Sequence, residues 1–75
     1  PKIVPVHWTV LEKIFVRDGW QFDRQEGSHR SYVKPGTARP VVIPAYAAVP
    51  VSIIRNVMRT ASMDRERYVA LLSEV

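Results

Sequence analysis

Cysteine is absent from this 75-residue chain. That excludes a disulfide framework and a thiolate zinc site, and it leaves packing alone to hold the fold. Glycine is scarce, with Gly19, Gly27 and Gly36 standing far apart, so no glycine-rich loop is available to cradle a nucleotide phosphate. The only histidines are His7 and His29. No spacing announces further ligands for a two-histidine metal site, and neither a metal nor a cofactor is expected. No apolar run approaches the roughly 18 residues that span a bilayer, and the opening Pro1-Lys2-Ile3-Val4-Pro5 lacks the apolar stretch of a signal peptide. The expectation is a cytoplasmic protein of one domain, residues 1–75, with room for one modest core.

Negative charge is missing from the middle of the chain. Between Gly27 and Met63 there is no Asp or Glu, while Arg30, Lys34, Arg39, Arg55 and Arg59 all fall there. The formal net charge of +4 therefore understates a positive body between near-neutral ends. Such a segment attracts polyanions, because neutralising phosphates releases condensed counterions. Nucleic acid is the partner this footprint favours.

What is present falls into short periodic segments. Thr9 with Glu12 three residues on reads as a capping box that opens a helix, with Val10, Leu11, Ile14 and Phe15 as its apolar stripe and Gly19 as its stop. Trp20-Gln21-Phe22-Asp23 alternates as a half-buried strand, Gln25 to Ser28 reads as a turn, and His29 to Lys34 as the returning strand. Pro35-Gly36 marks another turn before a third strand, Arg39 to Ile43, closed by Pro44. Pro50 suits the first position of a second helix whose apolar face is Val51, Ile54, Met58 and Ala61, with Arg55 and Arg59 on another face. After a break near Ser62-Met63, a short last helix brings Tyr68, Leu71 and Leu72 over the core. The order α-β-β-β-α with a terminal helix predicts a two-layer α+β fold like that of double-stranded RNA-binding domains.

Few residues carry chemistry. Ser28, His29 and Asp23 do not make a nucleophilic triad, because adjacent strand residues point to opposite faces. What remains is His29, placed directly after the Gly27-Ser28 turn among Arg30, Ser31, Tyr32 and Lys34. An imidazole titrates near neutral pH and can pass a proton to or from a ribose hydroxyl or a leaving 5′ oxygen while cations hold the phosphate. The alternative is an ordinary polar residue at a strand start. Ser28, Arg24, Arg30, Lys34, Arg39, Arg55 and Arg59 are the candidate RNA contacts, and Arg55 and Arg59 equally suit a solvated helix face or an acidic protein partner. Strand alternation puts Arg30 and Lys34 on the face opposite His29 unless a bulge after Gly27 re-aims the histidine, which leaves Arg24 and Arg39 as the alternatives. Trp8, Phe15, Trp20 and Phe22 are read as core, and Tyr32 and Tyr46 as the better base-stacking candidates.

The runs Asp18-Gly19-Trp20, Arg24-Gln25-Glu26-Gly27-Ser28-His29, Val42-Ile43-Pro44 and Ile53-Ile54-Arg55 resemble the HicA, or YcfA-like, toxins over nearly the whole chain. The resemblance implies a fold similar to a double-stranded RNA-binding domain and cleavage of messenger RNA by the histidine after Gly-Ser, here His29. It also implies a HicB-type antitoxin that binds the toxin and blocks its site. Many members carry a second histidine where this chain has Arg30, and another where it has Ala45-Tyr46. Attack by a 2′-hydroxyl ordinarily benefits from both a base and an acid, and Tyr32 or Tyr46 could supply the second group only if positioned and perturbed for it. Three readings follow: an endoribonuclease, a non-catalytic RNA-binding module of the same fold, and a protein whose basic face docks an acidic partner.

Overall fold

A computed structural model describes residues 2–75. Helix α1 (Trp8–Arg17) is followed by strands β1 (Gln21–Glu26), β2 (His29–Val33) and β3 (Val41–Pro44), then by helices α2 (Val51–Thr60) and α3 (Arg65–Leu72). The strands form one antiparallel sheet in the order β1-β2-β3. This is the small two-layer α+β arrangement expected, consistent with that of double-stranded RNA-binding domains.

The apolar stripes assigned to the helices do meet the sheet. Leu11, Ile14 and Phe15 of α1, Ile54 and Met58 of α2, and Tyr68 and Leu71 of α3 are buried together with Tyr32, Val41 and Ile43 of the strands; Val10, Val51, Ala61 and Leu72 are only partly buried, and Val57, outside the expected stripe, is buried with them. His29, Val33 and Val42, which alternate with those strand residues, are exposed. The sheet therefore has one covered face and one open face.

The start of α1 differs from the expected capping box. Thr9 already lies inside the helix, and His7, with extended backbone, is the N-cap whose Nδ1 accepts the Thr9 N–H. Glu12 is thereby released from capping and turns toward the sheet. Pro50, likewise, is the N-cap of α2 and not its first helical residue.

Helices α1 and α2 end in the same backbone device. After α1, the N–H of Trp20 bonds the Phe15 carbonyl (2.9 Å) and that of Gly19 the Val16 carbonyl (3.0 Å). After α2, the N–H of Met63 bonds the Met58 carbonyl (2.8 Å) and that of Ser62 the Arg59 carbonyl (3.1 Å). Each is a Schellman motif, and each needs a left-handed residue at its corner. Gly19 supplies it in the first (φ 101°), whereas Ser62 adopts it with a side chain in the second (φ 53°). Left-handed backbone costs a residue with a Cβ about 1 kcal/mol or more. Ser62→Gly is therefore expected to raise stability by roughly 0.5–1 kcal/mol, and Gly19→Ala to lower it by about 1 kcal/mol, the added Cβ meeting Lys34 Cε at 3.2 Å. Urea denaturation of the two variants checks both signs.

The hairpin of β1 and β2 departs from the expected boundaries. The strand runs through Glu26, the turn is only Gly27-Ser28, and Gly27 (φ 59°) occupies the left-handed first position of a II′ turn. Phe22 pairs with Tyr32, but Arg24 pairs with Ser31, so Asp23 is an extra residue in β1. The bulge lies in β1 and not after Gly27 at the start of β2. Strand β3 begins at Val41, two residues after Arg39, and includes Pro44.

Candidate nucleic-acid interface

The bulge decides which side chains share a face. Without it, Arg24 would follow Phe22 onto the covered face, two residues on. The extra Asp23 shifts the register so that Arg24 lies opposite Ser31 and Glu26 opposite His29, on the open face, while Gln25 lies opposite Arg30 on the covered one. His29 pairs with Pro44 on its other side. The open face thus gathers His29, Glu26, Arg24 and Ser31. Arg24 Nε lies 3.1 Å from Glu26 Oε1, and both side chains are largely exposed. Directly opposed residues on adjacent strands hold their Cβ atoms about 4.5–5.5 Å apart, so the Glu26 and His29 side chains flank one small patch of surface.

The hairpin turn is tied to the β3–α2 connection. Ala45 N–H donates to the Ser28 carbonyl at 2.6 Å, Tyr46 N–H to the Pro44 carbonyl at 2.8 Å, and Trp8 N–H to the Tyr46 carbonyl at 3.1 Å. These bonds fix the histidine's end of the sheet against the start of α1. Tyr46 is 42% exposed at this end. His7 is there too, but its Nδ1 serves as the helix cap.

Arg39 lies on the loop before β3. With Asp23, Arg24, Ser31 and Val33 it lines a depression of about 190 Å³. Arg55 and Arg59 are exposed on α2, where Arg59 Nη1 donates to Asn56 Oδ1 at 3.1 Å. They take no part in lining that depression.

Arg30 and Lys34 are on the other face, as strand alternation predicted. Each of the three guanidinium nitrogens of Arg30 makes a hydrogen bond there. Its Nη2 donates to Glu12 Oε2 (2.8 Å), its Nη1 to Gln25 Oε1 (2.6 Å) and its Nε to the Tyr32 hydroxyl (3.0 Å). The Tyr32 hydroxyl donates in turn to Glu12 Oε2 at 2.5 Å. The guanidinium carbon lies 4.2 Å from the centre of the Phe22 ring and 4.7 Å from that of Trp8, a double cation–π contact. Burial by itself would raise the Glu12 pKa, but the hydrogen bonds from Tyr32 and Arg30 and the Arg30 charge outweigh it, and the carboxyl sits below its ordinary value. Lys34 Nζ is 3.7 Å from Asp18 Oδ2, and Arg67 Nε is 3.2 Å from Asp18 Oδ1, so one carboxylate links the end of α1 to β2 and α3.

Two aromatic assignments are corrected by this cluster. Phe22 is 48% exposed and serves as a plate against Arg30 and not as core, whereas the half-buried Trp8 packs against the core as expected and also lies against Arg30. Tyr32 is fully buried and offers no stacking surface, and burial together with the hydrogen bond to Glu12 pushes its pKa up to about 12. A proton held that firmly on the covered face does not serve chemistry on the open one. Glu26, by contrast, was read from the sequence as a turn residue, although a two-residue Gly27-Ser28 turn by itself implies that Glu26 faces His29.

Among the described residues, no three His, Asp or Glu side chains converge as a metal-binding group, and no helix is long and apolar enough to cross a membrane.

The fold and this face define a class: a small α+β domain like those that bind double-stranded RNA, with helices over one side of a three-stranded sheet and an open, partly basic face on the other. The sequence matches the family described as the HicA toxin of bacterial toxin-antitoxin over residues 8–63, from the first turn of α1 to the end of the α2 corner. The chain belongs to the HicA toxin family, and membership makes it the toxin of a pair whose other member is an antitoxin. Comparison with curated proteins gave no match.

Proposed function

We propose that this toxin is an endoribonuclease that cuts messenger RNA in the cytoplasm by internal transesterification, with protons moved by His29 and Glu26 and no metal in the step. Carrying this reading is the juxtaposition of His29, Glu26 and Arg24 on the open face. Glu26 takes the proton of the ribose 2′-hydroxyl, the 2′ oxygen bonds to phosphorus, and the phosphorus–5′ oxygen bond breaks. The leaving 5′ oxygen takes its proton from the His29 imidazolium. The products are a 2′,3′-cyclic phosphate and a free 5′-hydroxyl, and one proton has moved from Glu26's side of the phosphate to be replaced from His29's side. Base and acid belong on opposite sides of the phosphorus, which is why two residues facing each other across a strand pair suit the reaction. Arg24 lies beside Glu26 and neutralises the phosphate where charge develops. Ser28 and Arg39 border the same face, whereas Arg55 and Arg59 stand on α2, over the covered side of the sheet, and are left to more distant phosphates or to an acidic protein surface. Arg30 and Lys34 support the fold behind it.

The antitoxin is of the HicB type and covers the open face, which removes RNA and reaction together.

Incubation of the protein with a long single-stranded RNA in EDTA, followed by a denaturing gel and analysis of the ends, tests the proposal. Cyclic phosphate ends are expected. RNA that is bound but never cut returns the protein to the binding-module reading. Glu26→Gln is expected to slow cleavage by about 10²- to 10⁴-fold, with RNA affinity kept within a few-fold. An unchanged rate takes Glu26 out of the step.

A further inference from the structure

The depression beside the reacting residues has walls of unlike chemistry. Asp23, Arg24, Ser31 and Arg39 rim it, Val33 and Pro40 give it apolar surface, and its volume is about 190 Å³. It has room for one planar heterocycle and not for a base pair. Ser31 is two residues along β2 from His29 on the same face, which is about 6.6 Å at 3.3 Å per residue. A strand whose phosphate lies at His29 therefore carries its neighbouring nucleotide over this depression.

The carboxylate is the unexpected wall. Asp23 is the bulge residue of β1, and among the described residues it has no ion-pair partner, although Arg24 beside it is paired with Glu26. An acid without an ion-pair partner weakens phosphate binding. It strengthens the binding of a base edge that offers two adjacent donors, because a carboxylate only accepts.

We propose that this depression is a nucleobase subsite for guanine, next to the phosphate that is cut; the inference rests on the ribonuclease reading above. Guanine alone among the four bases presents two adjacent N–H donors, N1–H and N2–H, to both oxygens of Asp23. Its O6 and N7 acceptors suit an arginine, here Arg39. Adenine and cytosine put a ring acceptor beside their single amino donor, and uracil puts a carbonyl on each side of its N–H, so each sets an oxygen or nitrogen lone pair against the carboxylate. Recognition of a splayed base by its Watson–Crick edge is the usual way in which single-stranded RNA is read.

The test uses the full chain with His29→Ala, so that bound RNA stays intact, and four single-stranded tetraribonucleotides that differ only in carrying G, A, C or U at one position. Fluorescence titration is expected to show the guanine oligonucleotide binding about tenfold more tightly or better. Asp23→Asn added to His29→Ala is expected to erase that difference, weakening the guanine oligonucleotide relative to the other three, whose affinity rises slightly as the repelling charge is removed. Equal affinities for the four, or a guanine preference that survives Asp23→Asn, overturns the subsite. Random-sequence RNA cut by the unmodified protein separates this from the parent reading: cutting without base preference sinks the subsite alone, and guanine-selective binding without cutting sinks the ribonuclease alone.

Discussion

His29→Ala is expected to reduce RNA cleavage by about 10³-fold, within the 10²–10⁴ range for removing one proton-transfer group, while the thermal midpoint moves by no more than a few degrees. The two halves of that result have separate causes. His29 is exposed at the first position of β2 and its ring makes no side-chain hydrogen bond in the structure, and surface substitutions away from packing or caps stay within about 0.5 kcal/mol. The hairpin around it is held by backbone pairing with Glu26 and Pro44 and by the bond from Ala45 to Ser28, none of which involves the imidazole. Loss of activity therefore reports on the reaction and not on the fold. Cleavage of a labelled RNA in EDTA, set beside a circular dichroism melt of the same preparation, checks both. Partial recovery of the variant by added imidazole is expected, since the exposed position leaves access to the vacated space. A variant that cuts at the normal rate would remove His29 from the step and turn the open face into a binding surface only.

Legibility in the sequence followed range. The apolar stripes of α1 and α2, the break at Ser62 and the strand order were readable because each is set by periodicity or by a turn within a few residues. The Gly27-Ser28 turn before His29 was readable for the same reason, while the role of His29 came only from the family resemblance. The partnership of His29 with Glu26 and Arg24 was not, because one inserted residue, Asp23, changes the face of every residue after it in β1, and nothing in Gln21-Phe22-Asp23-Arg24 announces the insertion. Glu12 was misread because Thr9-x-x-Glu12 satisfies a local rule that a longer-range contact overrode: the carboxylate is worth more against Arg30 and Tyr32, 18 and 20 residues on, than against a backbone N–H that His7 can help to cap. Phe22 was misread with it. A hydrophobic plate against a partly buried cation carries the same sequence signature as a core aromatic.

That misreading gives the largest expected stability effect. Arg30→Ala is expected to destabilise the protein by about 2–4 kcal/mol, somewhat under the 3–5 kcal/mol for breaking a fully buried pair, because the Arg30 and Glu12 side chains keep 18% and 28% of their surface. The guanidinium gives up three hydrogen bonds and its place between Phe22 and Trp8, and Glu12 is left beside Tyr32 without a cation. For a domain of this size each kcal/mol moves the midpoint by about 4–8 °C, so a fall of roughly 10–25 °C is the measurement to look for. The loss has a pH signature. The folded-state pKa of Glu12 lies below its ordinary 4.5, so its contribution is fully present above that value and disappears as the pH falls through the folded one. With Arg30 gone, burial is opposed only by Tyr32, the folded pKa rises, and the variant's acid unfolding moves to higher pH. The gap between the two proteins is widest near neutrality and narrows toward pH 3. Arg30→Lys restores little, because an ammonium neither stacks between two rings nor forks to Glu12 and Gln25. Direct contact between Arg30 and RNA predicts the reverse pattern, an unchanged melt with weakened RNA binding, and urea melts from pH 3 to 7 beside an RNA titration at low temperature decide between them.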